Sequence, residues 1–467
     1  MSIFNNALSG TLAAKTALTV TSQNIANVMT PGYTRQGVLL GAVVARQNSV
    51  LGGGDGVQVS SLIRFSDGYK TQQLWQSASN LARHATSQPY VTQLEQVLGD
   101  DASGINSGLD GFFSALNAAS VEPSSNPLRQ QVITAAEGLA QRFNSLARVL
   151  SAQRLSVAQQ RTTVVGQINV TTAGIAELNA RVALAVATGA NASELIDERD
   201  RKIDELAAMV SVQVVDQPDG TRSVMLRDGQ PLVVGANAST VAVQGHPDGS
   251  QTLSLDFARQ TFEIAGDRLG GQLGGLHDIE SAVLAPLRQS IAEMASEIAT
   301  RFNAQLAAGH TPGGAPGDLG YADMTQGPLF VFDATSGTGM LAVRSGVMAE
   351  DLAFSSSPTE PGNNDNLLAM IDLKNQPITV SSLGTVLLGD AHTQLVSNVG
   401  MYSKQNQAAL STAQTVRDQA TESWKSVSGV NSDEEAVHLI EYQQMYQANL
   451  KVIAVANELF DSVLSSF

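Results

Sequence analysis

The strongest constraint on the fold is a pair of heptad patterns, one at each end of the chain. Near the N-terminus, residues at alternating steps of three and four form one helical stripe, made largely of small side chains: Phe4, Ala7, Thr11, Ala14, Leu18, Thr21, Ile25 and Val28. The last segment repeats bulkier residues in the same way: Leu439, Tyr446, Ile453 and Phe460, interleaved with Tyr442, Asn449 and Ala456. Small residues permit close approach and bulky ones fill the space between helices, so the sequence predicts that the two ends pair.

Charge favours the same pairing. Before residue 55 the charged residues are all basic: Lys15, Arg35 and Arg46. The C-terminal segment is acidic, with Asp433, Glu434, Glu435, Glu441, Glu458 and Asp461 against Lys451. The ends therefore attract each other, and the pair could close within one molecule or between copies.

Between the ends the apolar period changes twice. A helical seam runs from Val132 to Val182, apolar and polar residues alternate from Val212 to Ile264, and a helical period returns from Leu276 to Leu306. The sequence thus predicts a multidomain α+β protein: an elongated core of long antiparallel helices with coiled-coil-like paired termini, plus an inserted small antiparallel β domain. The predicted divisions are 1–66 for the N-terminal helix and extended arm, 67–210 with 268–310 for the helical core, 211–267 for the β domain, 311–394 for a loop-rich segment with short strands, and 395–467 for the C-terminal helical block.

Composition excludes several classes of protein. The formal net charge of -16 and the pI of about 4.7 argue against binding of duplex nucleic acid or an anionic membrane surface. The chain has no cysteine, so disulfides, thiolate metal sites and cysteine nucleophiles are excluded. Only 5% of residues are aromatic, which favours close helix packing over large aromatic cores.

Polar residues give little indication of chemistry. The six histidines show no metal-ligand spacing, and we expect no cofactor, no metal and no catalytic site. The acidic residues between Asp197 and Glu205 alternate with Arg199, Arg201 and Lys202, which predicts a salt-bridged helix face rather than a cation site. For Asn24, Asn27 and Asn449 two interpretations stay open: amide pairs that fix the register between the terminal helices, or a solvated polar face.

Two motifs at opposite ends resemble a known family. Ser22-Gln23-Asn24-Ile25-Ala26-Asn27, followed by Thr30-Pro31-Gly32-Tyr33-Thr34-Arg35-Gln36, is similar to the N-terminal signature of bacterial flagellar rod, hook and junction proteins. Ser428-Gly429-Val430-Asn431, the acidic run from Asp433 and the stretch from Tyr442 to Ile453 resemble its C-terminal partner. Long helices between the motifs favour the hook-filament junction class, because rod and hook proteins are mostly β in the middle.

The resemblance implies a non-enzymatic structural subunit of the hook-filament junction, located outside the cell. It implies export through the flagellar secretion apparatus without a cleavable signal peptide, an export chaperone on the C-terminal segment, and a ring of copies between hook protein and a second junction protein. The helical termini would line an inner tube, with the β domain facing outward. We expect the assembly contacts to involve Phe4, Leu18, Asn24, Ile25, Asn27, Pro31, Gly32, Tyr33, Arg35, Leu439, Tyr442, Tyr446, Asn449, Ile453 and Phe460.

Two other functions stay possible at this level. A hook or distal rod subunit of the same superfamily shares both end motifs but would be β-rich between them. A secreted enzyme on a flagellar-type scaffold is the more remote alternative, since it would need a convergent catalytic site.

Overall fold

The computed structural model describes residues 2–43, 54, 56–100, 104–247, 249–317, 328–336 and 339–465. The predicted contents of 44–53 and 318–327 therefore lie outside the described residues. The helices are α1 Ser2–Ala26, α2 Gly68–Leu98, α3 Ile105–Val121, α4 Asn126–Thr188, α5 Ser193–Met209, α6 Gly271–Asp278, α7 Ala285–Ala307, α8 Asp365–Asp372, α9 Leu388–Ser428 and α10 Ser432–Leu464, and a π-helical segment Ile279–Leu284 joins α6 to α7.

The described strands form five small antiparallel sheets. The strands are β1 Gln36–Ala42, β2 Val57–Arg64, β3 Val212–Asp216, β4 Arg222–Leu226, β5 Pro231–Val234, β6 Asn237–Ala238, β7 Thr240–Gly245, β8 Gln251–Phe257, β9 Gln260–Ile264, β10 Phe330–Phe332, β11 Leu341–Val343, β12 Pro377–Val380 and β13 Gly384–Leu387. They pair as β1-β2, β3-β4-β5-β6, β7-β8-β9, β10-β11 and β12-β13. Long helices with small antiparallel sheets confirm the predicted α+β class.

Two compact units make up the chain. Unit 1 comprises Met1–Ala82, Val164–Gly271 and Thr412–Phe467, so it holds both ends and the strands β1 to β9. Unit 2 comprises Arg83–Thr163 and Gln272–Ser411, with the strands β10 to β13. Helices α2, α4 and α9 contribute residues to both.

The strands β3 to β9 form an insertion whose two ends meet. The Ser211 N–H donates to the Leu269 carbonyl oxygen at 2.6 Å. A Cβ on Gly271 would lie 2.6 Å from the Met209 carbonyl carbon, so only glycine permits this approach. The chain therefore leaves the helices after α5 and returns to α6 at nearly the same point.

Four helix asparagines dock strands of these sheets onto helices. In each case the side-chain amide donates to the carbonyl oxygen and accepts from the N–H of a single strand residue, at 2.7 to 3.1 Å. We call each such pair an asparagine clip: Asn144 with Leu341, Asn169 with Val241, Asn179 with Arg222, and Asn303 with Phe330. The clips satisfy backbone groups that a short sheet would leave unpaired at its edge.

A cluster of four phenylalanines lies in the core of unit 2. The Phe112 ring meets Phe302 at 5.0 Å and Phe330 at 5.6 Å between centroids, both edge-to-face, and Phe113 lies 5.8 Å from Phe302. Four of the few aromatic residues are thus concentrated in one cluster rather than spread along the chain.

Helix α4 runs without interruption for 63 residues, through Gly166 and Gly174. Among the described helices it alone is long and apolar enough to cross a membrane by length and composition, a test that core helices of soluble proteins also pass. Its residues Val132, Leu139 and Ile168 are all buried within the protein, which accounts for the apolar composition.

Candidate assembly interface

Helices α1 and α10 pack against each other in antiparallel fashion within unit 1. Gly10 lies against Asn449, and Thr21, later in α1, lines a cavity together with Tyr442, which is earlier in α10. Contacts that move forward along α1 therefore move backward along α10. A Cβ on Gly10 would come within 2.5 Å of Asn449 Oδ1, so the absence of a side chain there sets the close approach. The predicted pairing of the termini is confirmed and closes within one chain.

The predicted residues of α10 divide into two groups. Tyr442, Tyr446, Asn449 and Ile453 are half-buried at steps of three and four, and they form the side that faces α1. Phe460 is 65% exposed. Gly10 lies against Asn449, and the two helices are antiparallel. The first residue of α1, eight positions before Gly10, therefore lies opposite a point eight positions after Asn449. Phe460 lies beyond that point and has no α1 residue opposite it. Leu439 is also exposed.

On α1 the side chains buried in the seam are small. Ala7, Ala14 and Ala17 are nearly inaccessible to solvent and Leu18 is half-buried. Phe4 and Ile25, which the heptad pattern placed on the same stripe, are exposed. Of the bulky residues predicted on this stripe, Leu18 packs partly into the seam, whereas Phe4 and Ile25 do not.

Bulky apolar residues instead cover the outer surface of the helix pair. On α1 they recur every fourth residue, and on α10 they recur at steps of three and four, each at least 41% exposed. We call these sets the outer stripes: Phe4, Leu8 and Leu12 on α1, and Val452, Val455 and Leu459 on α10. Apolar stripes of this kind on a soluble protein mark a surface that another molecule covers.

The Pro31-Gly32 pair forms the predicted turn at the end of α1. The Tyr33 N–H donates to the Thr30 carbonyl oxygen at 3.2 Å, and Gly32 has a φ of 74°, as the third position of a type II turn requires. A Cβ on Gly32 would also lie 2.5 Å from Cγ of Arg201 on α5. Backbone conformation and close packing thus both demand glycine.

Asn24 fixes the segment that follows this turn. Its buried amide donates to the Gln36 carbonyl oxygen at 2.9 Å and accepts from the Gln36 N–H at 3.1 Å, which is a fifth asparagine clip. It also accepts from the Tyr33 hydroxyl at 2.9 Å. Burial, with a smaller effect of the nearby Asp197 charge, raises the pKa of Tyr33 to about 12, so the hydroxyl keeps the proton that it donates.

Among the described residues, none of the three predicted asparagines donates its side-chain amide across the α1-α10 seam. Asn27 donates to the Gln23 carbonyl oxygen at 2.9 Å, and Asn449 donates to the Met445 carbonyl oxygen at 2.8 Å. Within one chain no amide pair sets the register between α1 and α10, because backbone groups take the donors, and the buried Asn24 does not lie on a solvated face either.

Arg35 joins the N-terminal motif to the C-terminal motif. Its guanidinium forms an ion pair with Glu434 at 2.6 Å and lies 4.5 Å from the centre of the Phe65 ring. Its N–H donates to the Ser428 carbonyl oxygen at 2.8 Å. The two end signatures, nearly 400 residues apart in sequence, are thus parts of one structural site.

Helix α5 holds the N-terminal arm through charges whose partners the sequence did not reveal. Buried Asp197 accepts from the Thr34 N–H at 3.0 Å and from Arg64 Nε at 2.8 Å, and Arg64 also pairs with Asp200 at 3.0 Å. Burial raises the pKa of Asp197, and the Arg64 charge opposes that rise. The predicted salt-bridged face is present in part: Lys202 pairs with Glu205 and Arg199 with Asp200 within α5, while other ion pairs of this face run to other elements.

The described part of the chain holds no group of three or more histidine, aspartate or glutamate side chains arranged to bind a metal ion. The site consists of packed helices, a turn and ion pairs. Such an arrangement can hold protein surfaces together.

Two family models match the chain, and the second of them covers α10 of this interface. The model of the flagellar hook-associated protein FlgK helical domain matches residues 91–319, and that of the flagellar basal body rod FlgEFG protein C-terminal region matches residues 426–466. Flagellar hook-associated protein 1 of Salmonella typhimurium is 29% identical, with 99% of each chain covered. The chain is therefore similar to flagellar hook-associated protein 1 (FlgK) over nearly its whole length.

Other proteins of this name are also similar to the chain. The proteins of the same name from Escherichia coli K12 and Bacillus subtilis 168 are 28% and 24% identical, over 99% and 97% of this chain. The flagellar hook junction protein FlgK from Burkholderia pseudomallei has the same fold, with a TM-score of 0.66 at 19% identity, over 76% of this chain and all of that one. The chain is accordingly a structural component of the bacterial flagellum, an extracellular structure.

Proposed function

We propose that this chain forms the ring that joins the flagellar hook to the filament, and that copies contact one another through the outer stripes of α1 and α10. The observation that carries the proposal is the distribution of side chains on the helix pair: small residues of α1 are buried in the seam, and bulky apolar residues lie on the outer surface. A buried leucine or valine side chain contributes roughly 1.5–3 kcal/mol relative to an exposed one, so covering the stripes would drive assembly.

Paired serine substitutions in one outer stripe test this proposal. Val455→Ser with Leu459→Ser should leave the free chain folded, because both side chains are already more than half exposed, and should abolish filament attachment in a strain that lacks the wild-type gene. Val170→Ser on α4 is the matched control, since Val170 is 75% exposed and belongs to neither stripe. Electron microscopy of the hooks gives the result, and normal filaments on the doubly substituted chain would refute the proposal.

The proposed partners are hook protein on one side of the ring and a second junction protein on the other. An export chaperone would cover α10 before assembly, when the chain passes unfolded through the flagellar secretion apparatus. The exposed stripe on α10 supports a covering partner, because such surfaces promote aggregation when free. Removing residues 429–467 should abolish chaperone binding in a pull-down from the secreting cell, whereas removal of β3 to β9 should not.

The proposed role is structural and includes no catalysis. The competing assignment to a hook or distal rod subunit is disfavoured because the segment between the motifs is dominated by α2, α3, α4, α7 and α9. Circular dichroism of residues 36–428 should give a helix-dominated spectrum, and a β-dominated one would return the rod or hook assignment to first place.

A further inference from the structure

A cavity of about 180 Å³ lies where α1, the β1-β2 arm and α10 meet. Ala17, Val20 and Thr21 of α1 line it from one side, and Glu435, His438 and Tyr442 of α10 from another. Gln36, only 4% exposed, lines it as well, and its Nε2 atom has no hydrogen-bond partner among the described residues. The cavity is therefore polar on several sides.

Two charged residues line this cavity, Arg35 and Glu435, and the Arg35 guanidinium is already paired with Glu434 outside it. Glu435 is 2% exposed, unlike its neighbour Glu434, whose carboxylate is in contact with Arg35 and with solvent. Within the described ranges, no lysine, arginine or histidine nitrogen lies within ion-pair distance of the Glu435 carboxylate, and no donor is hydrogen-bonded to it. A buried carboxylate without a partner destabilises the chain that carries it, so its presence indicates a partner from outside.

We propose that Glu435 and its cavity form a socket for a cationic side chain of a second copy of this chain, namely Lys15. This inference rests on the proposed function, in which copies meet through the terminal helices. Lys15 is the only charged residue of α1, it is exposed, and it forms no ion pair among the described residues. It follows Leu12 by three residues and so lies on the same side of α1 as the outer stripe that would face a neighbour.

The chemistry of the cavity suits an ammonium group. An ammonium has three donors and no acceptor, and the Glu435 carboxylate and the hydroxyls of Thr21 and Tyr442 supply acceptors around the cavity. The long apolar stem of a lysine can lie along Ala17 and Val20. The socket would therefore complete a charge pair only when two copies assemble.

The variant Glu435→Gln tests whether Glu435 binds a second copy or only stabilises its own chain. Neutralising an unpaired buried charge should leave the free energy of unfolding of the free chain unchanged or raise it, while assembly onto isolated hooks weakens at least about tenfold. Glu458→Gln, an exposed position on the same helix with the same change of charge, is the matched control and should assemble like the wild type. A Glu435→Gln chain that assembles normally, or one that unfolds more easily when free, would overturn the socket.

The identity of the cation is tested by Lys15→Gln. It should weaken assembly as much as Glu435→Gln does, and the double variant should be no weaker than either single one. A carbodiimide should also couple Lys15 to Glu435 in assembled hooks, giving covalent dimers that both single variants lack. Normal assembly of Lys15→Gln would overturn the assignment to a second copy. Failure of the wild type and of Glu458→Gln to assemble would instead count against the proposed junction function itself.

Discussion

The phenylalanine cluster of unit 2 and the α1-α10 seam of unit 1 use bulky side chains in opposite ways. In the cluster, Phe112, Phe302 and Phe330 point inward and contact one another. In the seam, Ala14 and Gly10 face inward while the outer stripes face solvent. Unit 2 thus completes its core within one chain, whereas the terminal helices leave apolar surface that only neighbouring molecules can cover.

The largest expected effect is on the cluster. Phe112→Ala should lower the free energy of unfolding by about 3–5 kcal/mol, because the ring is fully buried and its removal leaves a cavity among three other rings. Phe460→Ala, at a mostly exposed position of α10, should cost less than about 0.5 kcal/mol in the free chain. Denaturant titration measures the free energy of unfolding of both variants. Equal losses in the two variants would contradict the difference between the cluster and the terminal helices.

The next effect concerns the small residues of the seam. Gly10→Val should cost about 1–3 kcal/mol, because any side chain there pushes Asn449 away and forces α1 and α10 apart. Gly166→Val is the control, since a Cβ on Gly166 meets no atom within 4 Å. Thermal unfolding followed by circular dichroism measures both, and a Gly10→Val chain as stable as the control would show that close approach is not required.

Asparagine clips occur in both units, so their removal should affect both regions alike. Asn303→Asp replaces the donor to the Phe330 carbonyl oxygen by a carboxylate oxygen, and should cost about 1–2 kcal/mol. Asn24→Asp makes the same change at Gln36 in unit 1. Hydrogen exchange should show faster exchange of the Phe330 N–H in the first variant and of the Gln36 N–H in the second. No change in either amide would mean that the clips do not hold the strands.

The smallest effect is a pH dependence in unit 2. Burial lowers the pKa of His392, so the folded state favours the neutral ring more than the unfolded state does. Stability should therefore fall as the pH drops below about 6.5, the ordinary histidine pKa, through the lowered folded value. His392→Gln should reduce this acid-induced loss in denaturant titrations between pH 7 and pH 5, and an unchanged loss would assign it to other groups.

Periodicity predicted the elements that repeat a simple pattern over many residues. The long helix α4, the strands β3 and β4 with their turns, and the pairing of the ends all follow from local spacing of apolar residues. The helix α8 and the hairpin β12-β13 were not predicted, and α9 begins at Leu388, earlier than the predicted start near Leu395. These elements are short or start within loop-like sequence, where the pattern covers too few residues to be distinctive.

The sequence gives less information on how side chains are used. A heptad stripe does not distinguish a face packed within the chain from one left for neighbours, and so Phe4, Ile25 and Phe460 were grouped with the seam. Ion pairs between residues far apart in sequence, such as Asp197 with Arg64, cannot be predicted from local spacing. One usable signal was present: glycine and alanine near the middle of α1 mark the inner face, and the leucines offset from them mark the outer one.

The central claim is that the outer stripes become covered when the chain enters the hook-filament junction. Because the chain has no cysteine, Leu459→Cys gives a single thiol on the stripe of α10, and Val170→Cys gives a reference thiol outside both stripes. Maleimide labelling should modify both thiols in the free chain, and in intact hook-filament preparations it should spare the thiol at position 459. A position 459 that reacts equally fast in the free chain and in the assembled junction would contradict the account.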